Sequence, residues 1–238
     1  MTVEDREIVR RFYARNEEGY DAYRVTDPRG ALQYANEQWI FRQMFPATEK
    51  DYVLEVGAGT GRFTTVAATS GARIVATDIN ENMLSRLPSR VPQVHEGRVE
   101  TRVEDVFHLS FPDATFDVAY GIHIIPRFRN LNDQREALSE VVRVLKPGGR
   151  LLFNFTNRRS LFGLFFKKHA ASWPEIDSIL KDLGMVVLDR RGKWLLTRTG
   201  LAKVPLVVGK VAARIDRWLS RFAPGFAFDV YVLAEKRR

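Results

Sequence analysis

The stretch Tyr52-Val53-Leu54-Glu55-Val56-Gly57-Ala58-Gly59-Thr60-Gly61 decides the fold. A short apolar run ends in three glycines at alternate positions, and helical spacing follows over 61–69. A strand that turns through glycines into a helix opens an α/β layer structure. The glycines let the backbone turn sharply and approach a ligand closely, with helix-terminal N–H groups nearby. A dinucleotide fingerprint, G-x-G-x-x-G, would need glycine at 62, but that position holds Arg62. The arginine would crowd the close helix–strand approach that the third glycine permits, so the spacing disfavours NAD.

Outward from this turn, strand and helix alternate. Ser70-Gly71-Ala72 leads into Arg73-Ile74-Val75-Ala76-Thr77, a second strand ending at Asp78, and a helix is expected over 81–87. Strands are expected near 98–103, 115–120 and 149–155. Between the last two, Asp133 and Glu136 read as a capping box for a helix burying Leu138, Val141, Val142 and Leu145, which Lys146-Pro147-Gly148-Gly149 stops. Another helix starts at Ser172, with Glu175 three residues on, and ends at Gly184; strands over about 185–190 and 227–234 follow. Upstream, helical spacing over 3–20 and 31–45 is broken by Thr26-Asp27-Pro28-Arg29-Gly30. The pattern predicts a Rossmann-like, doubly wound α/β sheet, mainly parallel, with helices on both faces.

Composition narrows the function. The 238 residues are 45% hydrophobic and 28% charged, an ordinary globular balance that argues against disorder. The absence of cysteine excludes disulfides, thiolate metal sites and a cysteine nucleophile. The longest apolar stretches are too short to span a bilayer, and the first residues carry charges where a signal peptide needs an apolar run, so a cytoplasmic protein is expected. Charge is uneven: residues 1–156 hold 20 basic and 22 acidic side chains, whereas 157–238 hold 17 and 7, a net +10. Beside a plain solvated surface, that excess suits an anionic substrate, an acidic membrane surface or nucleic acid.

Asp78, at the carboxyl end of the second strand, is placed to accept hydrogen bonds from two ribose hydroxyls, though an acid there also serves as a helix N-cap. After the third strand, Glu104 and Asp105 offer acceptors for the exocyclic amine of adenine, with the Val106 backbone beside the ring. His123 follows the fourth strand at the edge where ligands bind, and its near-neutral intrinsic pKa suits a general base; Arg127 lies in the same stretch. The alternative for His123 is a packed, hydrogen-bonded residue. His95, His108 and His169 show no ligand spacing, so no metal site is expected.

Residues 53–64, Thr77-Asp78-Ile79-Asn80-Glu81-Asn82-Met83-Leu84, Asp105, Phe116-Asp117 and Arg143 to Leu151 resemble, in order, the motifs of class I S-adenosylmethionine-dependent methyltransferases, in particular the small-molecule type 11 group. The resemblance covers about residues 50–156. It implies the strand order 3-2-1-4-5-7-6 with strand 7 antiparallel. It implies that Glu55 and the loop Gly57, Ala58, Gly59 and Gly61 hold the methionine part of S-adenosylmethionine, which leaves as S-adenosylhomocysteine. Asp78 would take the ribose, Ile79 or Met83 would pack on the adenine, and Asp105, assisted by the Val106 amide, would bind the adenine amine. Tyr120 and Gly121 would line the methyl-transfer face. A single domain over 1–238 follows: an N-terminal helical lid (1–48) with Tyr20 and Tyr23 towards substrate, a cofactor-binding core (49–156), and substrate-side segments with the last two strands (157–238).

The favoured expectation is methyl transfer by in-line displacement to oxygen or nitrogen of a small, lipophilic or anionic acceptor. RNA methylation and a non-catalytic, S-adenosylmethionine-binding partner subunit are the alternatives; the Asn/Asp-Pro-Pro-Tyr signature of many base-amine methylases is absent. Near the C-terminus, Val204, Val207, Val208, Val211, Ile215, Trp218, Leu219 and Phe222 form one helical stripe and Lys203, Lys210, Arg214, Arg217 and Arg221 another. The ordinary reading is a core-facing helix with a solvated basic back; the others are a lid over a lipophilic substrate and a surface that visits membranes.

Overall fold

In the computed structural model, which describes residues 27–91, 97–128, 130–160, 171–193, 205–222 and 224–238, the chain runs α1 (Pro28–Met44), β1 (Tyr52–Val56), α2 (Thr64–Ala67), β2 (Arg73–Asp78), α3 (Glu81–Leu84), β3 (Val99–Val103), β4 (Phe116–Gly121), α4 (Leu131–Val144), β5 (Leu145–Thr156), α5 (Trp173–Asp182), β6 (Met185–Lys193), α6 (Leu206–Leu219) and β7 (Asp229–Lys236). The sheet order is β3-β2-β1-β4-β5-β7-β6, as the resemblance implies. β1 pairs in parallel with β2 and β4, and β5 with β4, whereas β7 lies antiparallel between β5 and β6. The chain builds outward from β1 to β3, then crosses to β4 on the other side of β1. That reversal opens a crevice at the carboxyl ends of β1 and β4.

The inner strands β1, β2 and β4 are buried along most of their length, which is why they read as nearly continuous apolar runs, whereas the edge strand β3 is exposed. Leu54, Val56, Phe116, Phe153 and Phe155 pack under α4 and α5; Val53, Ile74, Tyr120, Leu152 and Tyr231 pack under α1 and α2.

Several local expectations change. The helix expected over 31–45 starts earlier, at Pro28, and Asp27 caps it by accepting from the Gly30 N–H at 2.9 Å, while the helix expected over 3–20 lies outside the described residues. The α4 cap is Asn130, whose side chain accepts from the Asp133 N–H at 2.8 Å, so the Asp133–Glu136 box is not used. Lys146-Pro147-Gly148-Gly149 is the irregular start of β5, where pairing slips between Phe116 opposite Leu145 and Val118 opposite Arg150. The Ser172–Glu175 cap of α5 forms as expected: Glu175 accepts from the Ser172 N–H at 2.7 Å and its hydroxyl at 2.6 Å. β6 continues past 190 to Lys193.

The largest correction concerns α6. Its inner face is Gly209, Ala213 and Asp216, and small side chains let it press against α1 through Leu32. The apolar stripe, expected to face the core, points to solvent instead: Val207, Val208, Val211, Ile215 and Trp218 are all exposed.

Candidate active site

The glycine loop is shaped by geometry that other residues resist. Gly57, Gly59 and Gly61 have φ of +71°, +55° and +83°, the left-handed region that costs an L side chain strain. At Gly61 a Cβ would also stand 2.8 Å from Leu87 Cγ. The loop is clasped to β2: the Gly59 N–H donates to Asp78 Oδ2 at 2.8 Å and the Ala58 N–H to the Thr77 carbonyl at 2.8 Å. The second Asp78 oxygen accepts from the Asn80 N–H at 2.9 Å. Burial raises the Asp78 carboxyl pKa, and those N–H groups pull against the rise.

These residues fit the adenosyl group that the resemblance implies. A carboxylate has about four acceptor positions, so two backbone bonds leave Asp78 room for a diol. Ile79 is partly exposed beside it, and Met83 is buried with its Cε 3.5 Å from where a Gly59 Cβ would be. Glu104 is spent locally, accepting from the Ser110 N–H at 2.9 Å and from the Ser110 hydroxyl. Asp105 Oδ1 accepts from the Phe107 N–H at 3.0 Å, which folds the turn after β3, and Val106 packs partly into the core.

Two side chains that the resemblance assigns to the cofactor lie inside the protein. The Tyr120 ring is fully buried between Phe41 and Phe45, with centroids 5.2 and 5.3 Å away, so its side chain does not line the crevice. Glu55 is buried and accepts from the Thr64 hydroxyl, and burial pushes its pKa up to about 7. Gly121 is fixed by Ile124: a Cβ there would lie 2.7 Å from Ile124 Cγ2.

Beyond β4, His123 has φ of +66°, strained for a non-glycine residue, and its N–H donates to Asn154 Oδ1 on β5 at 2.6 Å. Its ring Nε2 lies 3.1 Å from Glu37 Oε2 on α1, and Nδ1 is 3.4 Å from Asn154 Nδ2. An amide nitrogen can only donate, so Nδ1 is the acceptor and Nε2 carries the proton toward Glu37; this tautomer is inferred from the bonding. The His123 side chain is 22% exposed. Arg127 is exposed, in the 3-10 turn Ile125–Arg127. Tyr20 and Tyr23 lie outside the described residues.

Glu37 is the hub of a buried polar cluster that sequence reading missed. It is 1% exposed and accepts from Lys193 Nζ at 2.8 Å and Gln33 Nε2 at 2.8 Å, with the Arg62 guanidinium at 3.5 Å. Lys193 also reaches Asp229 Oδ2 at 2.7 Å, and Asp229 accepts from Thr156 Oγ1 at 3.0 Å. Strand register explains the meeting, because Asp229 sits opposite both Thr156 and Lys193 at the carboxyl edge of β5 and β6. Burial works against the Glu37 carboxylate, yet Lys193, His123 and Arg62 hold its pKa well below the usual range; Asp229 and Glu37 hold Lys193 well above its own. Arg62, the residue that replaced the fingerprint glycine, turns to α1 and stacks 4.2 Å over the Tyr34 ring. The one signal for this cluster was Asn154, a lone amide inside Leu151-Leu152-Phe153-Asn154-Phe155. Among the described residues no group of three or more His, Asp or Glu could hold a metal.

Residues 54–153 match the family described as a methyltransferase domain. A demethylmenaquinone methyltransferase from Symbiobacterium thermophilum is 30% identical over 153 residues, 63% of this chain and 59% of that protein. A ubiquinone/menaquinone biosynthesis C-methyltransferase from Saccharophagus degradans is 37% identical over 108 residues, 42% of this chain and 41% of that one. The chain thus spans less than two thirds of the length of these curated relatives. A solved SAM-dependent methyltransferase from Thermotoga maritima superimposes with a TM-score of 0.69 at 19% identity, over 94% of this chain and 98% of that one, which shows a shared fold. Over residues 54–153 the chain is thus similar to the methyltransferase-domain family, and it shares the fold of the Thermotoga maritima enzyme.

Proposed function

We propose that this chain moves the methyl group of S-adenosylmethionine to a nucleophilic atom of a small lipophilic acceptor. The observation that carries the reading is the clasp of the glycine loop to Asp78 at the switch point of the sheet, with His123 fixed at the same edge. When bound, the cofactor supplies a methyl group on a positively charged sulfur, already activated for displacement. The chain then has to position the acceptor, which can supply roughly 7–11 kcal/mol of the rate enhancement.

Asp78 would hold the ribose and the loop backbone the methionine end. His123 would take a proton from an acceptor hydroxyl through Nδ1, after displacing the long Asn154 contact, and Glu37 would stabilise the imidazolium. The residues suggested oxygen or nitrogen as the methylated atom. The similarity to a protein named as a C-methyltransferase widens the acceptor atom to carbon, where deprotonating a neighbouring hydroxyl makes a ring carbon nucleophilic.

The test is calorimetry and product analysis. Asp78→Ala should weaken S-adenosylmethionine binding at least ~10-fold, since a charge-assisted hydrogen bond contributes ~1.5–3 kcal/mol. Unchanged affinity would place the ribose elsewhere. His123→Ala should lower turnover far more than cofactor affinity. An acceptor should gain about 14 daltons in mass when incubated with enzyme and cofactor, the replacement of hydrogen by methyl.

A further inference from the structure

Around α6 three faces are distinct. The face toward α1 is Gly209, Ala213 and Asp216, continued by Ser220, all buried. At 100° per residue the opposite face is Val207, Val211, Ile215, Trp218 and Phe222. These are exposed by 73%, 49%, 44%, 66% and 55%. One flank of that stripe is Lys210, Arg214 and Arg221, all exposed. The only acid of the helix, Asp216, is turned inward and accepts from Asn36 Nδ2 at 2.8 Å. Trp218 and Phe222 stand together, ring centroids 4.9 Å apart.

The stripe faces away from α1, the helix that carries Glu37 to His123, so it does not close over the candidate active site as a lid. A run of exposed apolar side chains this continuous is uncommon on a soluble surface and marks a contact. Its chemistry selects the partner. An apolar ridge carrying a tryptophan, with cations and no acid along one flank and further apolar residues along the other, matches the boundary of an anionic bilayer, where side chains enter the acyl edge and arginines meet phosphates. We infer that α6 is a peripheral membrane-docking helix that seats the protein on anionic lipid through Val207, Val211, Ile215, Trp218 and Phe222, with Lys210, Arg214 and Arg221 reading the headgroups. No helix among the described residues is long and apolar enough to cross a membrane, so the contact is in the plane of the surface. The inference goes beyond the methyl-transfer reading and does not depend on it.

Flotation of the full chain with vesicles tests it. Vesicles mixing phosphatidylcholine with phosphatidylglycerol should bind the protein, and phosphatidylcholine alone should bind it at least ~10-fold more weakly, because each cation near an anionic surface contributes about fivefold. Trp218→Ser with Val211→Ser should cut binding to the mixed vesicles ~10-fold or more. Arg214→Glu with Arg221→Glu should abolish the preference for the mixed vesicles and its salt sensitivity. S-adenosylmethionine calorimetry and circular dichroism on each variant show whether the fold is kept; these side chains are exposed, so both should be unchanged. No flotation with mixed vesicles, or flotation that the variants do not alter, would overturn the inference. So would a concentration-dependent dimer, broken by Trp218→Ser, in a protein that ignores vesicles. Cofactor affinity and vesicle binding are read separately, so the two readings fail separately.

Discussion

Glu55 is a carboxyl with almost no water around it. Its pKa is raised to about 7, first by burial, with the Asp78 charge adding to the rise and the Thr64 hydrogen bond opposing it. A carboxyl that holds its proton more tightly folded than unfolded lowers stability as pH climbs from ~4.3, the unfolded value. The loss is complete above pH 7 and is of order 3 kcal/mol. Glu55→Gln should therefore raise stability at pH 8 clearly more than at pH 5, as urea denaturation at both values would read. Glu37 behaves oppositely. Its pKa is held well below the usual range despite burial, so its contribution is present at neutral pH and lost only when pH falls through that depressed value. Glu37→Leu would leave Lys193 with Asp229 alone and the buried Arg62 guanidinium without its carboxylate, and stranding buried charge costs about 3–5 kcal/mol. Thermal or urea unfolding should show that loss, and Lys193→Met in the same chain should recover part of it. Neither environment was legible in the sequence. Glu55 stands in a motif that suggests ligand contact, and Glu37 is an ordinary helix position whose charged partners Arg62, His123 and Lys193 lie 25, 86 and 156 residues further along.

Elements were legible where one local signal dominated. The β1 run, the Asp78 terminus and the Ser172–Glu175 cap each state their structure within a few residues, and the structure keeps all three. The signal failed where tertiary contacts outvoted it. Pro147-Gly148-Gly149 reads as a stop, but β4 pairs with Leu145 before it and Arg150 after it, so the segment becomes an irregular stretch within β5. At Gly149 a Cβ would sit 2.8 Å from the Lys146 carbonyl oxygen, so the glycine serves the irregular pairing. α6 has helical periodicity, which gives the helix but not which stripe turns inward. That was settled by Gly209 and Ala213, whose small size admits close approach to α1. The turn from β4 to His123 gives a test at this scale. Gly121→Ala would drive a methyl to 2.7 Å from Ile124 Cγ2 and, by shifting the residue next to His123, disturb its strained backbone. The expected cost is ~1–3 kcal/mol, as for overpacking elsewhere. Gly121→Ala with Ile124→Ala should regain most of it, and a double-mutant cycle by urea denaturation reads the coupling.

For the whole molecule, the strand order was implied by the resemblance of ordered motifs between residues 50 and 156, whereas the buried polar cluster around Glu37 was not legible, because it is assembled from α1, β5, β6 and β7 and no one segment announces it. The same division governs stability. Leu151–Phe155 of β5 is buried, its first three residues paired with β4 and all five with β7, while α6 rests on α1 through small residues and leaves its large side chains in water. Burying little apolar area, α6 should open without the sheet, since local opening free energies follow local packing. Hydrogen exchange should then show the amides of Leu206–Leu219 exchanging at least ~10-fold faster than those of Leu151–Phe155, under native conditions, with the strand amides exchanging only by global unfolding. S-adenosylmethionine, if held as proposed by the glycine loop and Asp78, should slow exchange around Gly57–Gly61 and Asp78 and leave α6 fast. Exchange of α6 as slow as that of β5 would mean that packing along α1 anchors the helix more firmly than its buried side chains account for.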